Sequence, residues 1–495
     1  MLLLTAAEKS PISNPQMPNS ISQVQPPLEF IPPAYNPLIV QGCQQILPWW
    51  LRFRTNISDI KAENVETLAE LFHQFQNQKV RFLLAFRHPN SDDPYCLGQL
   101  VWKLVPQVAR QQGIPLKFPV HSHFIYDRGI PLWAGAGVGW LYSRLGGTPI
   151  VRGKIDRAGL RSARDLFANS QFPIAAAPEG ATNGHNEIVS PLEPGIAQMG
   201  FWCVEDLRKA GRPEKVVIVP LGIQYRYVQP PWEQLEKLLT QLENDCGLTA
   251  LDSNTFANLD TNHPNSEIHP HKFQYLRLIR LGSYLLSVME QFYRRFYHQD
   301  LPPHPDQLAS ELMQNITSDN LDNEVIISRL KALLDVALQV AEQYFNLKPK
   351  GSLIDRCRRL EQAGWDYIYR EDIKDIAALC PLERGLADRL AEEASLRMWH
   401  MRLVESFVSV TGKYVQEQLT AERLAETTLL LSDVLARIKG GNPFGRPHLG
   451  KQQVTMTVGE PISVDDRSEG YQTSRRIAVA ELTQDLQSAL EGLIN

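Results

Sequence analysis

The 495-residue chain has no Cys-x-x-Cys pair and no Cys/His grouping at zinc-ligand spacing. Its six cysteines, Cys43, Cys96, Cys203, Cys246, Cys357 and Cys380, are scattered. That excludes a dense disulfide framework and suits small buried thiols in a reducing compartment. No uninterrupted apolar run approaches the ~20 residues that span a bilayer, so any contact with a membrane is expected at its surface. Charge of one sign is also lacking: 50 Lys and Arg stand against 55 Asp and Glu, a formal net charge of −5. The basic stripe of a dedicated nucleic-acid binder is therefore absent, and no nucleic-acid partner is expected. No fixed repeat period recurs, which excludes a solenoid. The start, MLLLTAAEKS, has neither a basic n-region nor a clear cleavage site, so no signal peptide is expected. What remains is 43% hydrophobic and 21% charged, the balance of a globular protein with a real core. The length suits two or three domains.

Residues 1–36 are rich in Pro, Ser, Gln and Asn and are expected to form a disordered or extended leader. PLIVQGCQQILPWWLRFR (37–54) carries Leu38, Ile39, Ile46, Trp49, Trp50 and Leu51, closed by Arg52 and Arg54. Two readings fit it equally: an interfacial membrane helix, or a core helix ended by basic residues. From Lys79 the chain alternates strand and helix. VRFLLAF (80–86) reads as a buried parallel strand, followed by a helix over about 94–113. Further strands are expected at 147–151, 172–177 and 216–227, with helices at about 158–169 and 195–211. This alternation predicts an α/β domain with a mostly parallel sheet flanked by helices. After about 230 the pattern is almost wholly helical, broken by a polar loop at 252–270. Long helices are expected at 272–298, 320–346, 383–418 and 420–439. Near the end, QVTMTVGEPI (453–462) alternates as a strand does, and a last helix covers 474–493. A lone strand needs a sheet to join. Residues 37–228 and 448–495 are therefore read as one α/β domain interrupted by a large all-α insertion, 229–447. The rival reading is a separate helical domain with its own small strand.

Four segments carry chemistry. The first, Arg87-His88-Pro89-Asn90-Ser91-Asp92-Asp93, follows the first expected strand, where open α/β sheets place their sites. On one helix, His88 and Asp93 would lie ~140° apart. Pro89 keeps His88 out of the helix, so that His88 can fold back on Asp93 while Asn90 or Ser91 caps. A carboxylate on one imidazole nitrogen frees the other to take a proton from a hydroxyl. Taken alone, the same spacing describes a capping Asp beside a surface His. The second segment, Gly147 to Lys154, places Arg152 at a strand end, with Arg157 and Arg161 following. Such a cluster can hold a phosphate, but taken alone it reads as a solvated basic turn. In the third, Pro178-Glu179-Gly180, a tight turn brings backbone N–H groups close to a ligand. In the fourth, Pro220 interrupts a strand, which points to a sheet edge or a bulge.

In this order the four segments resemble the blocks of the glycerolipid acyltransferase family, of the 1-acylglycerol-3-phosphate acyltransferase type. The H-x4-D block matches His88 to Asp93, and the strand-Arg block matches Gly147 to Arg152. The P-E-G block matches Pro178 to Gly180, and the V-P block matches Val219 to Pro220. VTMTVGEPI (454–462) resembles the strand that ends that family's domain. The resemblance covers about 37–227 and 451–495. It implies a glycerol-phosphate acyltransferase-like fold and a cytoplasmic, peripheral membrane O-acyltransferase of phospholipid biosynthesis. His88 would be the general base, Asp93 would fix its tautomer, and Arg152, Glu179 and Gly180 would bind the acceptor. The donor would be acyl-CoA or an acyl carrier protein, and the acceptor a lysophospholipid such as 1-acyl-glycerol-3-phosphate. No metal or cofactor is implied.

The chain departs from the family pattern at Arg87, where Asn is usual, at Ala181-Thr182-Asn183 after the P-E-G, and at Leu192-Glu193-Pro194-Gly195. Two expected cations are thereby missing, each worth ~1.5–3 kcal/mol on a phosphate. Lys154, Arg157 or Arg128 would have to compensate, or the acceptor would be a different hydroxyl. A third reading is a weakly active member whose helical insertion binds protein or membrane. Of the remaining residues, His121 and His123 are expected to be structural, His185 lies near the P-E-G turn, and Trp133 to Trp140 is expected to pack as core or to line an acyl tunnel.

Overall fold

A computed structural model of the chain describes residues 21–152, 156–249, 271–301, 323–407, 413–443 and 445–494. Eight strands form one sheet: β1 (Ile57–Glu63), β2 (Val80–Phe86), β3 (His123–Asp127), β4 (Gly147–Ile150), β5 (Ile174–Ala176), β6 (Lys215–Tyr227), β7 (Gln452–Val458) and β8 (Ile462–Ser463). The order is β1-β7-β6-β2-β5-β3-β4, with β8 beside β6. Pairing is parallel except for β6 with β7 and β6 with β8. The protein is thus an α/β fold with a mostly parallel sheet, flanking helices and a helical region.

The reason β2 reads as an unbroken apolar run lies in its neighbours. It sits between β6 and β5 with every residue buried. Phe82, Leu84 and Phe86 enter one core, under the helices Val65–Gln76 and Asp93–Gln99. Leu83 and Ala85 enter the other, under Arg157–Asn169, Gly195–Lys209 and Arg475–Gly492. Alternate side chains of one strand therefore serve both layers. The charge inside this run, Arg81, is satisfied by the carbonyls of Phe167 and Ser170, each at 2.8 Å. It also stacks 4.3 Å from the Phe75 ring centroid. Burial lowers its guanidinium to about 10.

β7 enters this sheet between β1 and β6, although more than two hundred residues separate it from either. The helices Trp232–Asp245, Lys272–Tyr297, Asn323–Tyr344, Leu353–Ile368, Pro381–Glu405 and Ala421–Ile438 lie between β6 and β7. They have cores of their own. The helix expected over 383–418 ends at Glu405, and a separate short helix, Tyr414–Glu417, follows. The expected polar loop at 252–270 lies outside the described residues.

The leader needs correction over its described part. Residues 21–36 run extended and are held in place rather than disordered. Gln25 bridges Tyr369, Val24 N–H donates to Asp388 at 2.9 Å, and Val24 is buried. Residues 1–20 lie outside the described residues. The Trp133–Trp140 stretch falls on two short helices, Ile130–Ala134 and Ala136–Arg144, broken at Gly135 (φ +101°), and Trp140 is exposed rather than core. β1, β3 and β8 were not expected. Among the described residues no helix is long and apolar enough to cross a membrane.

Met456 of β7 is fully buried in the core beneath β6 and β1. Met456→Ala is expected to cost ~2–5 kcal/mol in urea denaturation. The exposed Gln472→Ala is expected to stay within ~0.5 kcal/mol.

Candidate active site

β2 ends at Phe86, and the turn that follows faces the turn after β5. Asn90 shapes the first turn. Its side-chain oxygen accepts from Asp92 N–H at 3.1 Å, and its carbonyl accepts from Asp93 N–H at 3.2 Å. The helix begins at Asp93, with Asp92 in the N-cap position and no side-chain cap. The expected cap by Asn90 or Ser91 is therefore replaced by a tight turn one step earlier.

This turn leaves Asp93 fully buried and folded back. One carboxylate oxygen accepts from His88 Nδ1 at 2.8 Å and from Asn90 N–H at 3.0 Å. The other accepts from the Tyr225 hydroxyl at 2.6 Å. Burial first, and then the Asp93 charge, push the Tyr225 phenol well above its ordinary range, so it remains a donor. A carboxylate only accepts, so His88 Nδ1 carries its proton and Nε2 offers a lone pair. The His88 side chain is 21% exposed and Nε2 lies 2.9 Å from the Thr182 hydroxyl.

Glu179 is buried and binds protein rather than solvent. It accepts from His88 N–H at 2.8 Å, from Asn183 Nδ2 at 2.7 Å and from Ser190 N–H at 2.9 Å. Asn183 N–H donates in turn to the His88 carbonyl at 3.1 Å. The role expected for Glu179, contact with a substrate, gives way to a role in holding the His88 backbone. Gly180 turns at φ +72°, where a Cβ would collide with the Glu193 carboxylate. Arg87 is buried and donates to the carbonyls of His185, Asn186 and Ile188. It thus clamps the loop after the P-E-G turn. Burial lowers its guanidinium, and the Glu179, Asp93 and Glu426 carboxylates oppose that.

Arg152 reaches the same turn, donating to the Gly180 carbonyl and to Asp127 at 2.6 Å. A third partner, Glu361, stands 4.0 Å away on a helix that follows β6. Glu361 is bound by Arg402 at 2.7 Å and Arg358 at 3.6 Å. Glu405 is bound by Arg402 at 2.8 Å and Arg358 at 3.1 Å. Burial would raise the Glu405 carboxyl, but Arg402, Arg358 and Arg152 together pull it down to about 2. Arg358 also meets Glu193 at 3.3 Å. The guanidinium expected to hold a phosphate is thus compensated inside the protein.

The other expected cations are placed as follows. Arg128 pairs with Asp156. Arg157 is exposed in the first turn of its helix. Lys154 lies outside the described residues. Pro220 falls at no sheet edge. β6 is an interior strand, and Pro220 lies in the gap between its antiparallel partners, β8 up to Ile218 and β7 from Leu221. An absent N–H costs nothing there. His121, His123 and His185 are buried, and burial pushes His121 and His185 down to about 4. Among the described residues no group of three or more His, Cys, Asp or Glu side chains is arranged to hold a metal ion. Tyr225 and Thr182 are the members of the site that sequence reasoning missed. A polar pair, Gln224-Tyr225, inside an apolar strand was the one available signal for the first. No family model matches the chain, and no curated protein matches it.

The loop clamped by Arg87 is also held from the helical side. Glu426 accepts from Asn186 Nδ2 at 2.6 Å, Asn186 N–H at 3.2 Å and the Tyr414 hydroxyl at 2.5 Å. Burial raises its carboxyl to about 7, against the pull of these donors. A carboxyl raised on folding binds more protons in the native state, so the stability that Glu426 contributes falls as pH rises from about 4.5 through about 7. His121 and His185, pushed down by burial, contribute the opposite slope in the same window, so the Glu426 contribution is read as a difference between variants. The urea midpoint of the natural chain is expected to fall relative to that of Glu426→Gln as pH rises across that window.

Proposed function

We propose that this chain transfers an acyl group from a thioester to the hydroxyl of a lysophospholipid-type acceptor. The observation that carries the reading is the His88–Asp93 pair, 2.8 Å apart, with Nε2 turned to a hydroxyl at a half-open strand-end turn. In this reading His88 takes the proton of the attacking oxygen as the C–O bond forms, and returns it to the departing thiol. Asp93, held by Tyr225 and Asn90, keeps the imidazole in the right tautomer and stabilises its cation. The family resemblance of the four segments supports the same chemistry and a glycerol-phosphate acyltransferase-like fold. It also favours acyl-CoA or an acyl carrier protein as donor.

One observation favours a different acceptor from 1-acyl-glycerol-3-phosphate. Arg152, the cation carried over for the phosphate, is already engaged by Asp127, Glu361 and the Gly180 carbonyl. A dianionic phosphate would have to displace carboxylates to reach it. A lysophospholipid whose phosphate is already esterified, or a neutral alcohol, asks less of this site.

Peripheral attachment to a membrane is supported by the helix Pro37–Arg54. Leu47 and Leu51 are buried in the sheet domain, while Leu38 (75%), Ile46 (57%), Trp49 (55%) and Phe53 (61%) are exposed. At 100° per residue those four lie within an arc of about 80°. Arg52 and Arg54 flank the stripe, which suits an anionic bilayer interface.

The deciding assay offers the purified chain a radiolabelled acyl thioester and a panel of lysophospholipids and alcohols in vesicles. Transfer is expected, and His88→Ala is expected to lower it ~10²–10⁴-fold. Absence of transfer to every acceptor, from both acyl-CoA and acyl carrier protein, would overturn the reading. Co-sedimentation with anionic vesicles tests the attachment separately. The Trp49→Asp/Phe53→Asp double variant is expected to leave the pellet without losing its fold by circular dichroism.

A further inference from the structure

The helical region reaches the P-E-G turn through charge. Arg358 and Glu361 stand on the helix Leu353–Ile368, and Arg402 and Glu405 on the helix Pro381–Glu405. Every guanidinium of this cluster meets at least two carboxylates. Arg152 meets Asp127 and Glu361, Arg402 meets Glu361 and Glu405, and Arg358 meets Glu193, Glu361 and Glu405. Arg446, which stands over Gly184 farther along the same loop, is paired with Asp433 at 2.7 Å. A guanidinium so engaged offers an incoming phosphate little, because the phosphate has first to displace an anion.

The most exposed member of the cluster around Arg152 is a carboxylate. The Glu193 side chain is 37% exposed, against 17% for Arg152, 28% for Arg402 and 9% for Arg358. Its position is built into the turn. Glu193 N–H donates to the Pro178 carbonyl at 2.8 Å, and its carboxylate lies against Gly180, where a Cβ would collide with it. Gly180 directly follows Glu179, which holds the His88 N–H at 2.8 Å. The charge that this cluster presents to solvent beside the reacting turn is therefore negative.

We infer that Glu193 and Glu361 set the acceptor class: the site takes an acceptor whose head group donates hydrogen bonds or carries positive charge, and rejects a phosphate monoester. This inference rests on the acyl-transfer reading and names its acceptor. Glu361 acts through Arg152, by neutralising it, and Glu193 meets the head group directly. The two work in the same direction. A carboxylate accepts from O–H and N–H groups and attracts an ammonium, whereas it repels a dianionic phosphate. The helical region thereby contributes specificity to a reaction carried out at the ends of the sheet strands, since Glu361 stands on it and Arg358 holds Glu193 from it at 3.3 Å.

The test offers the full chain a radiolabelled acyl thioester and an equal mixture of three acceptors of one chain length in uncharged vesicles. They are 1-acyl-glycerol-3-phosphate, the same lipid with ethanolamine esterified to its phosphate, and the monoacylglycerol. The products are separated, so each preparation gives a ratio that is independent of how much of it is folded. The natural chain is expected to favour the ethanolamine diester and the monoacylglycerol over the phosphate monoester by at least ~10-fold. Glu193→Lys is expected to move that ratio at least ~10-fold toward the monoester, and Glu361→Gln to move it the same way by ~3-fold or more. In Glu361→Gln, Arg152, Arg358 and Arg402 each keep a carboxylate: Asp127, Glu193 and Glu405. Use of the monoester by the natural chain as readily as the other two, or a ratio that either variant leaves in place, would overturn the inference and leave the acyltransferase reading standing. Transfer to none of the three, from acyl-CoA or from acyl carrier protein, would overturn both.

Discussion

Two buried carboxylates hold the site together, and Glu179 is the one on which the rest depends. It accepts three N–H groups, from the His88 backbone, the Asn183 side chain and the Ser190 backbone. Those donors belong to turns that leave the ends of β2 and β5, separated by ninety residues. Strand pairing brings the two turns within reach, and Glu179 sets how they face each other. Asp93 then works within that frame, taking His88, Asn90 and Tyr225. Neither oxygen of either group is left to water, so the imidazole has little freedom to rotate. A site organised this way is held in one geometry by its own hydrogen bonds.

The helical region is part of that frame. Its arginines and glutamates form a partly buried network, Arg358, Arg402, Glu361 and Glu405, that ends on Arg152 and Glu193 beside the P-E-G turn. Buried ion pairs contribute little net stability, because desolvation offsets most of their attraction. They do specify geometry, since removing one member leaves another uncompensated. Glu426 and Arg423 make a second seam, to Asn186 and Glu187. Together the two seams lock the loop that Arg87 clamps from below. They also use up the positive charge that four-block reasoning assigned to the acceptor.

Legibility followed burial. β2 and β6 were plain in the sequence, because strands covered on both faces carry nearly continuous apolar runs. β1, ISDIKAE, is at the sheet edge and alternates with charge, so it reads as a polar connection. β3, HFIYD, has five residues and opens on a histidine whose polarity is hidden by a bond to the Gly146 carbonyl. Pro220 was misread because its missing N–H matters only in relation to neighbours. Its neighbours are β7 and β8, which come from the far end of the chain.

The site divides in the same way. His88, Asp93 and Glu179 were visible because their types and spacing follow strand ends, where local chain direction already limits what they can face. The apolar strands β2 and β6, and the pairing of His88 with Asp93 across Pro89, are short-range matters that the sequence determines by itself. Tyr225 behind Asp93, Thr182 over His88, and the charge network that compensates Arg152 depend on contacts across tens to hundreds of residues. A linear pattern holds no record of which charges will be desolvated together. Only the packed sheet and the helices set against it decided that.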